Sequence, residues 1–189
     1  MYILGDIGNS ETKIFLTNSN GRVLKRINFL SKDINNKNLN FKLKKIDRYL
    51  SKIEKILFCS VVPKKFFLIK KYFKKKTLIK CFEIKDLNLR SLIKINVNFN
   101  QVGSDRLTNA ISLINNRDNF IILDFGTATT FDVVIKKTYK GGVIAPGVKI
   151  SLGSLSDKAS LIPEINLKKI KKVIGIDTLS AVRSGFFWG

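Results

Sequence analysis

Apolar side chains alternate or cluster along residues 2–7, 12–17 and 22–30, and the polar run Asn18-Ser19-Asn20-Gly21 separates the last two stretches. A period-two pattern broken by a turn signal predicts strand, strand, turn, strand, an antiparallel start. Over 43–57 the spacing changes. Leu43, Ile46, Leu50, Ile53 and Leu57 recur at helical intervals, which predicts an amphipathic helix leading into a strand over 56–62. Pro63 then opens a helix over 64–76, with Phe66, Ile69 and Phe73 on one stripe and lysines around it. A strand over 77–84 and a short helix near 86–92 follow. Gly103-Ser104-Asp105 introduces a helix over 103–117 with Leu107, Ala110, Ile111 and Ile114 facing inward.

After Asn115-Asn116-Arg117-Asp118 the strand pattern restarts at 120–125, 129–136 and 139–145. Pro146-Gly147 ends the run, and a helix continues to about residue 160. Two strand-rich blocks separated by helices predict an α/β protein of two similar lobes, 1–117 and 118–189. A direct overlay supports duplication. DIGNSETKIFL from Asp6 and DFGTATTFDVV from Asp124 share Asp, Gly and Thr at their first, third and seventh places.

Composition narrows the chemistry. The chain has 189 residues, 44% of them hydrophobic, enough to bury a core, and it contains no histidine. That absence excludes Ser-His-Asp and Cys-His hydrolysis, the HExxH zinc site and any histidine base. Two cysteines, Cys59 and Cys81, are too few for a zinc finger or an iron–sulfur centre. Both sit in apolar runs, ILFCSVV and TLIKCFEI, and read as reduced packing thiols. Proton abstraction therefore falls to Asp, Glu, Lys, Tyr or a perturbed Cys. The N-terminus MYILGDIGNS has no basic segment followed by an apolar one, and no apolar run reaches ~18 residues. A cytoplasmic protein without membrane contact is the expectation.

The net charge is +21, from 35 basic and 14 acidic side chains. Clustered lysines neutralise phosphates, so a nucleic-acid face is one explanation. A composition biased towards A- and T-rich codons is the other. Arg would be favoured for bidentate phosphate recognition, and only seven of the 35 are Arg, so the second explanation carries more weight. Specific nucleic-acid binding is not expected.

Three segments carry candidate chemistry. A strand ending in Asp-x-Gly, a tight turn of Asn, Ser or Thr, and a second strand can clasp phosphate, because glycine admits close approach and turn N–H groups donate. The aspartate repels phosphate and would instead hold a cation or its water shell. One such turn by itself is better read as an ordinary hairpin with an Asx-turn. Two in matching places favour the clasp. No GxxxxGK[ST] or GxGxxG sequence competes. The third segment is Gly103-Ser104-Asp105-Arg106. There Asp105 is the best-placed base and Arg106 an anion clamp, with helix capping the plain alternative for Asp105.

Together, DIGNSETKIFL, VGSDRLTNAI, DFGTATTFDVV with GGVIAPGV, and GIDTLSAVRSG resemble type III pantothenate kinase. The series runs in order along essentially the whole chain, least specific between 30 and 95. The resemblance implies two actin-like (ribonuclease H-like) lobes, mixed sheets flanked by helices, with nucleotide in the cleft. It implies ATP-dependent phosphorylation of pantothenate to 4′-phosphopantothenate, the first step towards coenzyme A, by a homodimer needing Mg²⁺ and a monovalent cation, K⁺ or NH₄⁺. Carried over by position, Asp6, Ile7, Gly8, Asn9, Ser10, Glu11, Thr12, Lys13 and Thr127 would contact ATP. Gly103, Ser104, Asp105, Arg106 and Thr178 would contact pantothenate, with Asp105 as proton acceptor. Asp124 would bind the monovalent cation, and Asp6 would reach Mg²⁺ through water. Asn96, Phe99 and Asp177 depart from the family's usual Tyr, Pro and Asn. Similar proteins continue past Phe187-Trp188-Gly189, so the second lobe is expected to be incomplete. A non-catalytic regulatory or transcription accessory protein on the same scaffold, touching nucleic acid through its lysines, is the alternative.

Overall fold

A computed structural model describes all residues, 1–189, and it divides into two compact units. The first comprises Met1–Ile122 with Asp132–Gly141, and the second Leu123–Phe131 with Gly142–Gly189.

The first unit is built on a five-stranded sheet. Its strands are β1 (Tyr2–Ile7), β2 (Glu11–Thr17), β3 (Val23–Leu30), β4 (Lys55–Ser60) and β5 (Cys81–Glu83), in the order β3-β2-β1-β4-β5. The first three pair antiparallel, as the alternating pattern predicts, while β4 and β5 add in parallel. Parallel pairing needs crossovers, which here carry α1 (Asn36–Leu43) before β4 and α2 (Pro63–Lys76) before β5.

Both faces of this sheet are covered. Ile3, Ile7, Ile14, Ile56 and Phe58 point to one face and pack with Leu39, Leu43, Ile69 and Phe73 of the two helices. Leu57 and Cys59, one residue out of phase on β4, reach the opposite core. There lie Leu107 and Ala110 of α3 (Ser104–Ser112), with Val134 and Tyr139. Gly5 faces the ring of Phe58 so closely that any Cβ at this position would overlap it.

The second sheet has β6 (Lys94–Ile95), β7 (Asn119–Phe125), β8 (Ala128–Ile135) and β9 (Thr138–Pro146) in the order β6-β9-β8-β7. Its run β9-β8-β7 repeats the β3-β2-β1 order, as the paired Asp-x-Gly segments led one to expect. In the second unit, α4 (Val148–Lys158) follows β9, and a loop leads to α5 (Thr178–Trp188). Asp177 caps α5: its carboxylate accepts from Ser180 N–H at 2.8 Å, while the Ser180 hydroxyl receives the Asp177 N–H at 3.1 Å.

The mixed α/β class with helix-flanked sheets agrees with the sequence reading. Several local expectations need correction. The helix expected over 43–57 is instead α1, capped by Asn35 accepting from Asn38 N–H at 2.9 Å, followed by 3₁₀ turns over Lys44–Lys52. Apolar spacings of three and four suit a 3₁₀ run nearly as well as an α-helix, and Asn35 fixes the earlier start. The strand expected over 77–84 shortens to β5, and the helix near 86–92 becomes 3₁₀ turns at Ile84–Asp86 and Leu89–Ser91. The helix over 103–117 stops at Ser112, and α5 lies beyond the last helix that the sequence pattern predicts. The division into units also departs from the boundary at 117. Val134 and Tyr139 are buried against α3, so the 132–141 hairpin belongs with the first unit.

Candidate functional site

The C-terminal ends of β1 and β4 and the start of α3 assemble most of the residues singled out above. Asp6 is register partner to Lys13 on β2 and to Cys59 on β4, so all three share the sheet face that α3 covers. The Cys59 thiol donates to Asp6 Oδ1 at 3.5 Å. Burial pushes this thiol up from 9.0 to about 12, and the charge of Asp6 and its hydrogen bond add to the rise. Asp105 contributes in the same direction and Thr108 opposes it. Asp6 thus touches the thiol directly, whereas Asp105 bears on it only as a weaker charge effect.

The thiols give a test. Cys81 is also pushed up to about 12, chiefly by burial. A cysteine thiolate is the reactive form, so native protein at pH 8 should react with a thiol reagent far more slowly than protein in denaturant. Comparable rates would contradict this. The sign of the pH dependence follows too. Unfolded thiols lose their protons near 9 while the folded ones keep them to about 12, so stability should fall as pH rises across that window.

The β1–β2 turn closes with Gly8 N–H donating to Glu11 O at 2.9 Å, leaving Asn9, Ser10 and Glu11 exposed. Thr12 is fully buried and its hydroxyl meets that of Ser31 at 2.9 Å, while Ser31 donates to Gly8 O at 2.6 Å. Thr12 and the buried Ile7 thus support the turn from beneath.

At the start of α3, the buried Ser104 hydroxyl donates to Ser60 O at 2.7 Å and accepts from Ser60 N–H at 3.1 Å. This fixes the helix end to the end of β4. A Cβ on Gly103 would meet the Asp105 carboxylate, which would have to shift from its present position. Asp105 is half-buried, and its Oδ1 accepts from Arg106 N–H at 2.8 Å. Phe99 lies under two cations, Lys85 at 4.9 Å and Arg90 at 5.9 Å. Asn96 N–H donates to Tyr139 O at 3.1 Å.

Sequence reasoning missed what lies behind Arg106. Its Nε donates to Asp132 Oδ1 at 2.7 Å, and the Tyr139 hydroxyl donates to the same oxygen at 2.6 Å. Asp132 is fully buried. Burial alone would lower the pKa of Arg106, but the hydrogen bond and charge of Asp132 outweigh it and raise it. Tyr139 is raised by burial, then by its bond to Asp132 and that carboxylate's charge. A signal was present. Asp132 stands two residues before Val134 in β8, an inward position where an acid needs a partner.

Asp124, Thr127 and Thr178 belong to the second unit. Asp124 lies near the end of β7, and Thr127 in the β7–β8 turn, both exposed. Gly147 N–H donates to Thr127 O at 3.0 Å, and a Cβ on Gly147 would overlap that turn. Thr178 is the exposed first residue of α5. Among all residues no cluster of three or more His, Cys, Asp or Glu could cage a metal, and no helix is long and apolar enough to cross a membrane.

A sequence profile described as type III pantothenate kinase matches residues 2–189. A type III pantothenate kinase of Pelagibacter ubique is 65% identical over 189 residues, covering 100% of this chain and 76% of its own length. One from Legionella pneumophila is 35% identical over 145 residues, 72% of this chain but only 55% of the relative. Another from Halalkalibacterium halodurans, 38% identical over 144 residues, likewise spans 72% and 55%. The chain thus matches about half the length of the two more distant relatives. Among solved structures, a Campylobacter jejuni protein assigned to the Baf family of transcriptional activators superposes with a TM-score of 0.50 at 19% identity, over 97% of this chain and 72% of its own. That likeness bears on fold alone. Identity along the full length, on a scaffold carrying the quoted segments in order, has one meaning: this chain belongs to the type III pantothenate kinase family.

Proposed function

We propose that this chain transfers the γ-phosphoryl group of ATP to pantothenate, giving 4′-phosphopantothenate and ADP for coenzyme A synthesis. The observation that carries the reading is the pair of Ser104–Ser60 hydrogen bonds, which fastens the helix start bearing Asp105 to the end of β4, the strand whose Cys59 is register partner to Asp6. Phosphoryl transfer needs mainly positioning and charge neutralisation, with one carboxylate near the attacking hydroxyl. In the proposed reaction the primary hydroxyl oxygen of pantothenate bonds to the γ-phosphorus. The bond from phosphorus to the β,γ-bridging oxygen breaks, ADP leaves, and the hydroxyl proton goes to Asp105.

Exposed Asn9, Ser10 and Glu11, with Gly8 and Lys13, form the ATP-phosphate turn in this reading, and Ile7 and Thr12 hold it from below. Thr127, exposed in the β7–β8 turn, is proposed as a further ATP contact on the family resemblance. Gly103 to Arg106 bind pantothenate, Ser104 through its backbone since its hydroxyl is bonded to Ser60, and Thr178 is proposed as a pantothenate contact on the family resemblance. The donor set fits Mg²⁺, which is usually held by one or two carboxylates, substrate phosphates and water, so Asp6 suffices where no protein cage exists. Bound there, the ion would neutralise charge on the phosphates. Asp124 is the proposed ligand for a monovalent cation, K⁺ or NH₄⁺. A homodimer working in the cytoplasm, with the lysine surplus as solvated surface, completes the proposal.

The test is direct. The purified chain with ATP, Mg²⁺, K⁺ and pantothenate should produce 4′-phosphopantothenate and an equal amount of ADP. ADP formation that does not depend on pantothenate would overturn the assignment of substrate.

A further inference from the structure

The Arg106 side chain is mostly buried, only 13% exposed, and its partner Asp132 is 0% exposed. Three donors converge on one atom of that carboxylate: Tyr139 hydroxyl at 2.6 Å, Arg106 Nε at 2.7 Å and Arg106 Nη2 at 2.6 Å, all to Oδ1. A stabilising Arg–carboxylate pair is commonly a fork, two parallel bonds to two oxygens. Here Nε and Nη2 share one oxygen. Nη2 makes no properly directed hydrogen bond although it is buried. Ion pairing to Oδ1 holds that nitrogen without giving it a directed bond of its own. The backbone N–H of Arg106 meanwhile donates to Asp105 Oδ1 at 2.8 Å, so clamp and base are adjacent residues of one helical turn.

We propose that Asp132 and Tyr139 are positioning residues: by gripping the Nε edge of Arg106 from behind, they aim its remaining N–H groups at the anionic group of the acceptor substrate. This rests on the kinase reading above and names what orients the acceptor in that same site. The carboxylate of pantothenate is its sole anionic group, and guanidinium geometry matches a carboxylate. Tyr139 comes from β9 and Asp132 from β8, whereas Arg106 comes from α3. The hairpin thereby sets the angle of a side chain on another element. Without it, a long arginine side chain would sample many rotamers and meet the acceptor less often.

Tyr139→Phe keeps the buried ring and removes one donor to Asp132, and Asp132→Asn keeps shape but removes the charge. Steady-state kinetics of the full chain should show the KM for pantothenate raised about tenfold in Asp132→Asn, where a charge-assisted bond is lost, and about threefold in Tyr139→Phe. The KM for ATP should stay within about twofold in both. Calorimetric titration of pantothenate should give matching losses in affinity. If Asp132→Asn does not fold, Tyr139→Phe decides. Unchanged pantothenate KM in a folded Tyr139→Phe, or equal shifts in both KM values, would overturn the proposal and leave the trio as a structural staple. A parent chain that neither binds nor phosphorylates pantothenate would instead remove the kinase reading, and this inference with it.

Discussion

Asp105→Asn should lower kcat for pantothenate phosphorylation by about 10²–10⁴-fold, the usual contribution of a general base. The competing role for Asp105 is as a helix-start residue, and the two roles separate cleanly at this substitution. Gly103 is the N-cap of α3 and offers no side chain, so Asp105 is the acid of the first turn. Its Oδ1 accepts the Arg106 N–H at 2.8 Å, a bond that an asparagine oxygen reproduces. What Asn loses is the charge facing the helix N-terminus, an effect of about 0.3–1 kcal/mol, together with all basicity. Melting temperature should therefore move by a few degrees at most while turnover collapses. The KM for ATP should hardly change, since nothing in the substitution touches the β1–β2 turn. Assaying ADP and 4′-phosphopantothenate across a pantothenate series gives kcat and KM separately. A folded variant with near-normal turnover would take Asp105 out of the chemistry.

The largest effect on stability is expected at Phe58. Phe58→Ala should cost about 3–5 kcal/mol, the range for removing a buried aromatic ring. Its side chain is fully buried, with ring centroids 6.1 Å from Phe66 and 6.2 Å from Phe73. Gly5 closes the remaining side by having no Cβ. Three elements thus meet on one ring: β1 through Gly5, β4 itself, and α2 through both Phe66 and Phe73. A paired parallel sheet cannot collapse readily into the space left, because β1 and β4 are held in register along six residue pairs. Since domains are typically stable by only about 5–15 kcal/mol, this single change would remove a large share. Urea denaturation followed by circular dichroism should show a much lower midpoint. A loss under about 1 kcal/mol would mean that Phe58 packs less tightly than described. Cys59, the next residue, faces the opposite core, so the variant also reports how far the site depends on the sheet beneath it.

Local signals marked strands that both pattern and turn chemistry favoured. β1, β2 and β3 follow from alternation and from Asn18-Ser19-Asn20-Gly21, where Gly21 has φ of +79°. α2 follows from Pro63 and a single apolar stripe. Residues 43–57 were less legible, because a spacing of three or four does not tell 3₁₀ turns from an α-helix, and β5 shrank because an apolar run does not reveal where its partner strand ends. The motif residues were visible one by one: Asp6 beside a glycine turn, Asp105 in a first helical turn, Asp124 in the second copy.

The sequence by itself determined the family, the α/β class, the order of the chemistry-bearing segments and the absence of histidine chemistry. These depend on residue identity and on intervals of two to four residues, which local backbone geometry converts directly into turns, strands and helices. Only the tertiary structure decided which of those residues lie near one another. The contact of Asp6 with Cys59 requires a parallel β1–β4 pairing some 50 residues apart in sequence, and the start of α3 reaches the same strand end because Ser104 fastens it to Ser60. The grip of Asp132 and Tyr139 on Arg106 spans 26 residues between Arg106 and Asp132. No short-range pattern encodes such separations. They arise because a buried charge is tolerable only beside its partner, and burial is a property of the folded chain.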